Sequence, residues 1–378
     1  MKIALIRQRY NAFGGAERFV ERAVQALAAE GSTTMTLLAR YWSGETSGAG
    51  FVRCDPYYIG RTWRDWSFAR AACAAVAAGT FDLVQSHERI ACCDIYRAGD
   101  GVHAQWLENR ASVLGPAARL AQAISPWHRY TLAAERRLFA SPRLKAVICN
   151  SRMVADEVKR HFGVDESRLE LIYNGVDLER FHPRLKAQHR SAIRAQLGIP
   201  ESSMMFLLVG SGFERKGVPA LLEAFARDGV DGSAHLVIVG ADRHATAMQT
   251  RAQSLGIAAR THFPGPQRDV AAWYAAADCF VLPTLYDPFP NAALEAMACG
   301  LPVITSRQCG AAELITTGHE GWSCDAWDVD ALAAHLSMLN IDQARKMGLA
   351  ARLLAERFPL DAMAAQLVAL YRRLLPSK

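Results

Sequence analysis

The stretch Thr284–Ile304, TLYDPFPNAALEAMACGLPVI, joins a strand end to a loop, a helix and a second strand. The apolar run that precedes it, Asp278–Pro283, is typical of a buried parallel strand. We expect Asn291 to cap the helix and Gly300 to end it, just before the strand-like Val303–Ile304. Strand, helix and strand in this order predict an α/β fold with a parallel sheet.

Two acids, Asp287 and Glu295, bracket the loop and the first part of this helix. Open α/β folds bind ligands at the carboxyl ends of their parallel strands, and the loop Asp287–Pro290 follows such an end. Glu295 could instead only complement the positive end of the helix. The functional interpretation is a ligand that faces both acids.

The same stretch resembles the retaining glycosyltransferases of the GT-B fold, of the family 4 type (glycosyl transferases group 1), and is closest to lipopolysaccharide-core α-glucosyltransferases. Their signature is two glutamates separated by seven residues and followed by Ala-Met-Ala-x-Gly-x-Pro-Val; here Asp287 and Glu295 take the acidic positions. The resemblance implies that Glu295 holds the nucleotide ribose and that the loop after Asp287 holds the donor sugar. The donor contacts implied in that loop are Phe289, Pro290, Asn291 and Ala292.

The prolines of the loop, Pro288 and Pro290, depart from the family's glycine-rich pattern. Each proline removes a backbone N–H that could have met the sugar. Asp287 also stands where the family has a glutamate, which shortens the side chain by one methylene. These departures motivate a rival hypothesis, a non-catalytic nucleotide-sugar-binding or scaffold protein.

A second motif, Gly210–Gly217 (GSGFERKG), lies between a predicted strand and a predicted helix. Arg215 and Lys216 could neutralise a diphosphate leaving group there, although a charged pair on a loop is usually just solvated. The family has its diphosphate site at G-x-x-x-x-R-K-G, so the resemblance implies donor contacts from Gly212 and both cations. It also implies that the nucleotide base lies near Gly265.

The N-terminal half opens with the strand Lys2–Ile6 and a loop with paired glycines. Gly14 and Gly15 would let the backbone approach a phosphate at a helix start, whereas alone such a pair is more often a connector. The family has GG-x-E or GG-x-Q here, near the diphosphate and the acceptor. The resemblance implies that Glu17 lies near the reacting centre or orients the acceptor.

Further candidates follow the predicted strand Ile95–Arg97. Asp100 and His103 are expected at the same sheet edge as the paired glycines, although a lone histidine is more often structural. In the family this region supplies an acidic or imidazole side chain that contacts the sugar or acceptor. Asp100 and His103 remain alternatives for that role, and His87 is a third candidate.

The length of 378 residues favours two domains. The resemblance implies two Rossmann-like domains that face a central cleft. We predict an acceptor-binding domain at 1–183, a linker at 184–201, a nucleotide-sugar-binding domain at 202–358 and a C-terminal helix at 359–378 that returns to the first domain.

Composition narrows the class of protein. Hydrophobic residues make up 51% and charged residues 21%, which is ordinary for a globular protein. No apolar run reaches the ~18 residues of a membrane span and no cleavage site follows Met1, so we expect a cytoplasmic protein. The nine cysteines include no C-x-x-C pair and are expected to be buried thiols rather than disulfides. No Asp-x-Asp sequence ends a strand and no histidines have metal-ligand spacing, so we expect neither a metal nor a cofactor.

The net charge of +6 equals the charge of one stretch, Arg110–Lys145, with seven basic residues and one acid, Glu135. Aromatic and aliphatic residues are interleaved with these bases, from Trp106 onward. Such a pattern suits either an anionic membrane surface, met through 106–145, or a helix that packs on its own domain. Nucleic acid is a poorer fit because no binding module accompanies the charge.

The resemblance therefore implies a retaining, metal-independent transfer of a hexose from a nucleotide diphosphate sugar such as UDP-glucose. The expected acceptor is a lipid-linked saccharide, of lipopolysaccharide core or another cell-envelope glycan, met at the inner face of the cell membrane. A nucleotide-cofactor oxidoreductase is disfavoured because Gly14-Gly15 is not G-x-G-x-x-G. A GT-B epimerase is disfavoured by the Asp287/Glu295 signature.

Overall fold

The computed structural model describes residues 1–11, 34–43 and 50–375. Gly14, Gly15 and Glu17 therefore lie outside the described residues. The chain forms two compact units, Met1–Asn174 with Leu360–Lys378, and Gly175–Pro359. Each unit has a parallel sheet with helices along it, so the predicted pair of Rossmann-like α/β units is confirmed.

The first unit is built on a seven-stranded parallel sheet. Its strands are β1 Lys2–Ile6, β3 Thr34–Ala39, β5 Gly50–Arg53, β6 Leu83–Ser86, β7 Ile95–Arg97, β8 Ala146–Cys149 and β9 Leu169–Leu171, and a separate pair is β2 Arg9–Asn11 with β4 Tyr41–Ser43. The order across the sheet is β5-β3-β1-β6-β7-β8-β9. Chain order therefore reverses between β1 and β6.

Helices cover both faces of this sheet. They are Gly60–Ala78, His103–Val113, Pro116–Ile124, Pro126–Phe139, Arg152–Phe162 and Leu360–Leu374. Alternate residues of β1 face opposite sides, as a strand requires. Ile3 and Leu5 pack with Tyr371 of the last helix. Ala4 and Ile6 lie in the core of the opposite face, which includes Phe68.

The second unit has a six-stranded parallel sheet. Its strands are β10 Met205–Val209, β11 His235–Val239, β12 Thr261–Gly265, β13 Cys279–Leu282, β14 Val303–Ser306 and β15 Gly321–Cys324. Its helices are Lys186–Leu197, Val218–Phe225, Ala245–Ser254, Ala271–Ala276, Asn291–Ala298, Val329–Met338 and Ile341–Ala355. The order β12-β11-β10-β13-β14-β15 reverses between β10 and β13. This is the 3-2-1-4-5-6 order of dinucleotide-binding folds.

The predicted linker at 184–201 is wrong, because this stretch is part of the second unit. It contains the helix Lys186–Leu197. Arg194 of that helix is only 1% exposed, and its Nη1 lies 3.0 Å from the carbonyl oxygen of Ala276 and 3.2 Å from Asp278 Oδ2. The first unit ends at Asn174 rather than at 183, and the helix Leu360–Leu374 belongs to it.

The expectation that all cysteines are thiols is wrong for one pair. Cys73 and Cys92 form a disulfide in the first unit, with Cα atoms 5.8 Å apart. The helix Gly60–Ala78 brings Cys73 beside the loop that precedes β7, a proximity that sequence spacing does not reveal. The seven other cysteines are free and buried.

Among the described residues, no helix combines the length and the apolarity that crossing a membrane requires.

Candidate active site

Two loops meet where strand order reverses in the second unit. The first follows β10 and carries Gly217, with φ of 78°; the second follows β13. A Cβ on Gly217 would lie 1.8 Å from the carbonyl oxygen of Pro283, so the loops touch backbone to backbone. The amide of Leu285 and the hydroxyl of Thr284 donate to the carbonyl oxygen of Arg215, at 2.8 and 2.9 Å. These contacts form the crevice in which open α/β sheets bind ligands.

Three charged side chains cluster in this crevice. Lys216 Nζ donates to Asp287 Oδ2, and both residues are more than nine-tenths buried. Arg215 Nη1 lies 3.5 Å from the same oxygen and 3.0 Å from the carbonyl oxygen of Tyr286, with its side chain 39% exposed. Asp287 thus holds together the two cations that the sequence assigns to a diphosphate, and Arg215 keeps contact with solvent.

The backbone of Asp287 is anchored to a third loop. Its N–H donates to the carbonyl oxygen of Gln308 at 3.0 Å, and its carbonyl oxygen accepts from the N–H of Gly310 at 2.8 Å. That loop follows β14, which lies next to β13 in the sheet. The first acid of the signature is therefore fixed by its backbone as well as by its carboxylate.

The second acid, Glu295, lies in the helix Asn291–Ala298, and its side chain is 7% exposed. Tyr274 Oη donates to Glu295 Oε2 at 3.2 Å. The predicted Asn291 cap is wrong: Asn291 is the first helical residue, the extended residue before it is Pro290, and no side chain caps the helix. Phe289 is 4% exposed, which makes its ring part of the core.

Glycines leave space beside the same sheet edge. Gly212 has φ of 78° and Gly265 has φ of 75°, values that L side chains rarely adopt. A Cβ on Gly265 would meet no atom within 4 Å, and one on Gly212 would meet only Arg215 Nε, at 3.9 Å. Ala292 and Asn291, at the helix start, are half-buried. The second unit therefore brings its predicted donor residues to one edge of one sheet.

The candidates of the first unit lie in different surroundings. Asp100 is exposed in the turn after β7, whereas His103 is 5% exposed and begins a helix. His103 Nε2 lies 3.0 Å from His128 Nδ1. Burial, assisted by Arg89, His128 and Arg61, lowers the pKa of His103 from 6.5 to about 3, so the imidazole is neutral. His87 is 3% exposed, and burial also lowers its pKa.

Sequence reasoning missed Glu135, which is 1% exposed. Its carboxylate accepts from the N–H groups of His103 and Ala104, at 2.6 and 3.3 Å, and from Arg89 Nε at 2.8 Å. It thus neutralises the positive end of the helix His103–Val113. The available signal was its position as the one acid between Arg110 and Lys145.

Within the described ranges, no group of three or more histidine, cysteine, aspartate or glutamate side chains is placed to hold a metal ion.

Comparison with known proteins identifies the family. The family profile Glycosyltransferase Family 4 matches residues 13–180, and Glycosyl transferases group 1 matches 189–353. The D-inositol 3-phosphate glycosyltransferase of Streptomyces bingchenggensis is 31% identical over 78% of this chain and 67% of its own length. The chain belongs to the group 1 glycosyltransferases. The corresponding protein of Xylanimonas cellulosilytica is 32% identical, and the match spans 56% of that protein.

This glycosyltransferase is also similar to the lipopolysaccharide glucosyltransferase WaaG of Escherichia coli, which is 27% identical over 85% of this chain and 84% of WaaG. The crystal structure of WaaG superposes with a TM-score of 0.83 over 97% of this chain and 99% of WaaG, at 23% identity. The predicted GT-B fold is therefore confirmed. A structure of Anabaena HepE with UDP and glucose superposes with a TM-score of 0.73 over 99% of this chain and 100% of HepE, at 18% identity.

Proposed function

We propose that this glycosyltransferase moves a hexose from a nucleotide diphosphate sugar, UDP-glucose or a similar donor, to a saccharide acceptor, with retention of configuration and without a metal. The observation that carries the proposal is the cluster of Arg215, Lys216 and Asp287 at the reversal point of the second sheet. Of two solved relatives in this fold, WaaG is described as a lipopolysaccharide glycosyltransferase and HepE holds UDP with glucose.

The proposed transfer requires positive charge beside the diphosphate leaving group, where Arg215 and Lys216 lie. Cleavage of the anomeric bond leaves negative charge on the diphosphate, and preorganised positive groups stabilise that charge most strongly where water is excluded. Lys216 is 8% exposed, so its interaction with a phosphate would be little screened. Arg215 offers a planar fork suited to phosphate oxygens. These two residues would supply the stabilisation that other enzymes draw from a metal ion.

The other donor contacts follow from the same sheet edge. Glu295 would accept hydrogen bonds from the ribose hydroxyls, and the segment from Asp287 to Ala292 would hold the sugar. Gly265 would leave room for the base, and Gly212 for the phosphates. In the first unit, Glu17 and either Asp100 or His103 would contact the acceptor or the transferred sugar; the buried, neutral imidazole suits hydrogen bonding rather than charge stabilisation.

We place the acceptor on a lipid, in lipopolysaccharide core or another envelope glycan, at the inner face of the cell membrane. The helix Pro116–Ile124 has no buried residue, and Leu120 and Ile124 are each 63% exposed. Arg119 is exposed on the same helix, and the next helix exposes Arg129 and further arginines. Exposed aliphatic side chains among cations suit the interface of an anionic membrane.

The donor site is tested by calorimetric titration of the whole protein with UDP, GDP and ADP. We expect UDP to bind and Glu295→Gln to weaken it about tenfold, the value of one hydrogen bond to a charged group. Glu179→Gln is the matched control, because that side chain is 84% exposed in the same unit. If none of the three nucleotides binds either protein, the proposal is refuted; binding without turnover of UDP-glucose on any acceptor would favour a scaffold.

A further inference from the structure

One disulfide joins two elements of the first unit at the edge of its core. Cys73 lies in the helix Gly60–Ala78, and Cys92 lies in the loop between β6 and β7, 19 residues further along the chain. Both side chains pack against the core that contains Phe68, yet both residues are only half-buried. Solvent therefore reaches part of each bonded residue.

The other cysteines lie in different surroundings. All nine cysteines are within the described ranges, and the seven free ones are buried, including Cys93, which directly follows Cys92. Burial raises the pKa of the Cys93 thiol to about 12, and it does the same for Cys149. A thiol reacts as its thiolate, so buried thiols that do not ionise are inert. Thiol chemistry is therefore confined to Cys73 and Cys92.

The helix and the loop are also connected through Gln8, which follows β1. Glu88, in the loop, accepts the N–H of Gln8 at 2.9 Å. Asp65, in the helix, accepts from Gln8 Nε2 at 3.1 Å and from Trp127 Nε1 at 2.7 Å. Cys73 follows Asp65 by about two helical turns, so the disulfide and Gln8 join the same two elements at separate points. The disulfide thus limits how far the two groups that hold Gln8 can move apart.

Other contacts of the helix and the loop do not depend on the disulfide. Arg89, in the loop, donates through Nε to Glu135 at 2.8 Å. Arg61, in the helix, lies over the ring of Trp127, 3.8 Å from the ring centroid. The helix and the loop also contribute side chains to one hydrophobic core. Loss of the disulfide should therefore loosen the helix from the loop without unfolding the unit.

The location proposed above makes a permanent disulfide unusual. Low-molecular-weight thiols keep cysteines reduced at the inner face of a cell membrane, and the disulfides that form there are usually transient. This expectation rests on the proposed location, whereas the pairing of Cys73 with Cys92 does not. A half-buried pair in contact with such thiols should open and close.

We propose that Cys73 and Cys92 form a reversible redox-modification site for a low-molecular-weight thiol of the glutathione class. A thiolate of that class attacks one sulfur, the bond between the cysteines breaks, and the released cysteine thiolate takes up a proton. A second small thiolate attacks the mixed disulfide; the small-molecule disulfide leaves, and the second cysteine takes up a proton. Two electrons thus pass from two small thiols to the protein, and the small-molecule disulfide is the oxidant of the reverse reaction.

The test incubates the whole protein in buffers that range from oxidised to reduced glutathione. Differential alkylation and peptide mass spectrometry then report Cys73 and Cys92 separately. We expect both thiols to appear together as the buffer becomes reducing, with no alkylation of the buried cysteines in the folded protein. Cys73→Ser should leave Cys92 able to form only a mixed disulfide with glutathione. Cys93→Ala is the matched control, because it removes the neighbouring buried thiol and should leave the exchange unchanged.

Hydrogen exchange measures the loosening of the helix from the loop. The helix Gly60–Ala78 and residues 87–94 should exchange faster in the reduced protein, whereas the helix Arg152–Phe162 of the same unit should change little. The first unit should also melt roughly 6–12 °C lower when it is reduced, the shift expected for a disulfide that closes a loop of this length. Cys93→Ala should show both differences, as the wild-type protein does.

A disulfide that resists glutathione and opens only with dithiothreitol would overturn the proposal, because it would be a permanent structural bond. Cysteines that stay reduced in oxidised glutathione, or equal hydrogen exchange in the two forms, would also overturn it. Calorimetry with UDP keeps this result separate from the donor site, which lies in the second unit and should bind UDP in both redox forms. If UDP binds neither form, the donor site is refuted and the redox site stands.

Discussion

Lys216 and Asp287 bury opposite charges against one another, so the loss of either leaves the other unpaired where water is scarce. We expect Asp287→Ala to lower the free energy of unfolding of the second unit by about 3 kcal/mol. Urea denaturation followed by circular dichroism measures this change.

The control for this substitution is Glu179→Ala, which removes an 84% exposed partner of Arg184 in the same unit. It should change the free energy of unfolding by less than about 0.5 kcal/mol. Equal destabilisation by the two substitutions would show that the buried Lys216–Asp287 pair contributes no more to stability than an exposed ion pair.

His103 makes the stability of the first unit depend on pH. Its folded-state pKa of about 3 lies below the ordinary 6.5, so between these values the unfolded chain binds more protons than the folded one. Above the ordinary pKa of histidine, the neutral His103 side chain imposes no protonation cost on folding, so its contribution to the free energy of unfolding is fully present. It is lost at about 1.4 kcal/mol per pH unit as the pH falls below that value.

Thermal unfolding at a series of pH values tests the role of His103. His103→Gln should reduce the dependence of the melting temperature on pH below neutrality. Substitution of the exposed His244 by Gln should leave that dependence unchanged. The same slope in wild type and His103→Gln would assign the pH dependence to other groups, of which His87 is the first to examine.

At the scale of elements, the contact between the loops after β10 and β13 depends on Gly217. Gly217→Ala combines a positive φ with a Cβ that would overlap a backbone oxygen, so we expect a loss of more than about 2 kcal/mol in stability and weaker UDP binding. Gly163 also has a positive φ, of 62°, but no atom lies within 4 Å of its Cβ position.

Gly163→Ala should therefore cost only about 1 kcal/mol, the price of the backbone conformation alone. Differential scanning calorimetry of the two variants separates strain from overlap. If the two variants have the same melting temperature, the close contact between the loops after β10 and β13 does not contribute to stability.

Sequence patterns located most elements because apolar runs and caps are local signals. The strands Lys2–Ile6 and Ile95–Arg97 have the predicted bounds, and Ser151, a residue type that favours helix starts, caps the helix Arg152–Phe162 by accepting from the N–H of Val154. The same approach failed for the stretch that contains Arg194. A polar, basic stretch is predicted to be a linker, because the sequence does not show that carbonyl groups and Asp278 surround the Arg194 side chain.

The candidate site could be predicted only in part, because adjacency of strands is a property of the whole sheet. Sequence placed Arg215, Lys216 and Asp287 at strand ends but did not show that β10 and β13 are neighbours, which brings the three together. The bond between Cys73 and Cys92 and the role of Glu135 depend in the same way on packing between distant elements.

At the scale of the whole molecule, the proposed membrane contact predicts a charge-dependent binding to lipid. Replacing Arg129, Arg136 and Arg137 together by glutamate should abolish co-sedimentation with vesicles that contain anionic phosphatidylglycerol. Each exposed basic side chain contributes about 1 kcal/mol of binding free energy at such a surface. Vesicles of phosphatidylcholine alone should bind neither protein.

The matched control reverses three exposed bases of the second unit, Arg345, Lys346 and Arg357. It should leave vesicle binding intact. Co-sedimentation that is unchanged by the first set of reversals, or reduced equally by both sets, would remove the membrane contact from the proposal and leave the donor site untouched.

The division of the first unit between the two ends of the chain has a consequence for its synthesis. A ribosome makes Leu360–Leu374 only after it has made the whole second unit. Until then the sheet face that carries Ile3 and Leu5 lacks Tyr371 and its neighbours. The unit that contains Met1–Asn174 can therefore complete its fold only after Gly175–Pro359 has been made, and a chain truncated before Leu360 would lack the helix that covers this face of the first sheet.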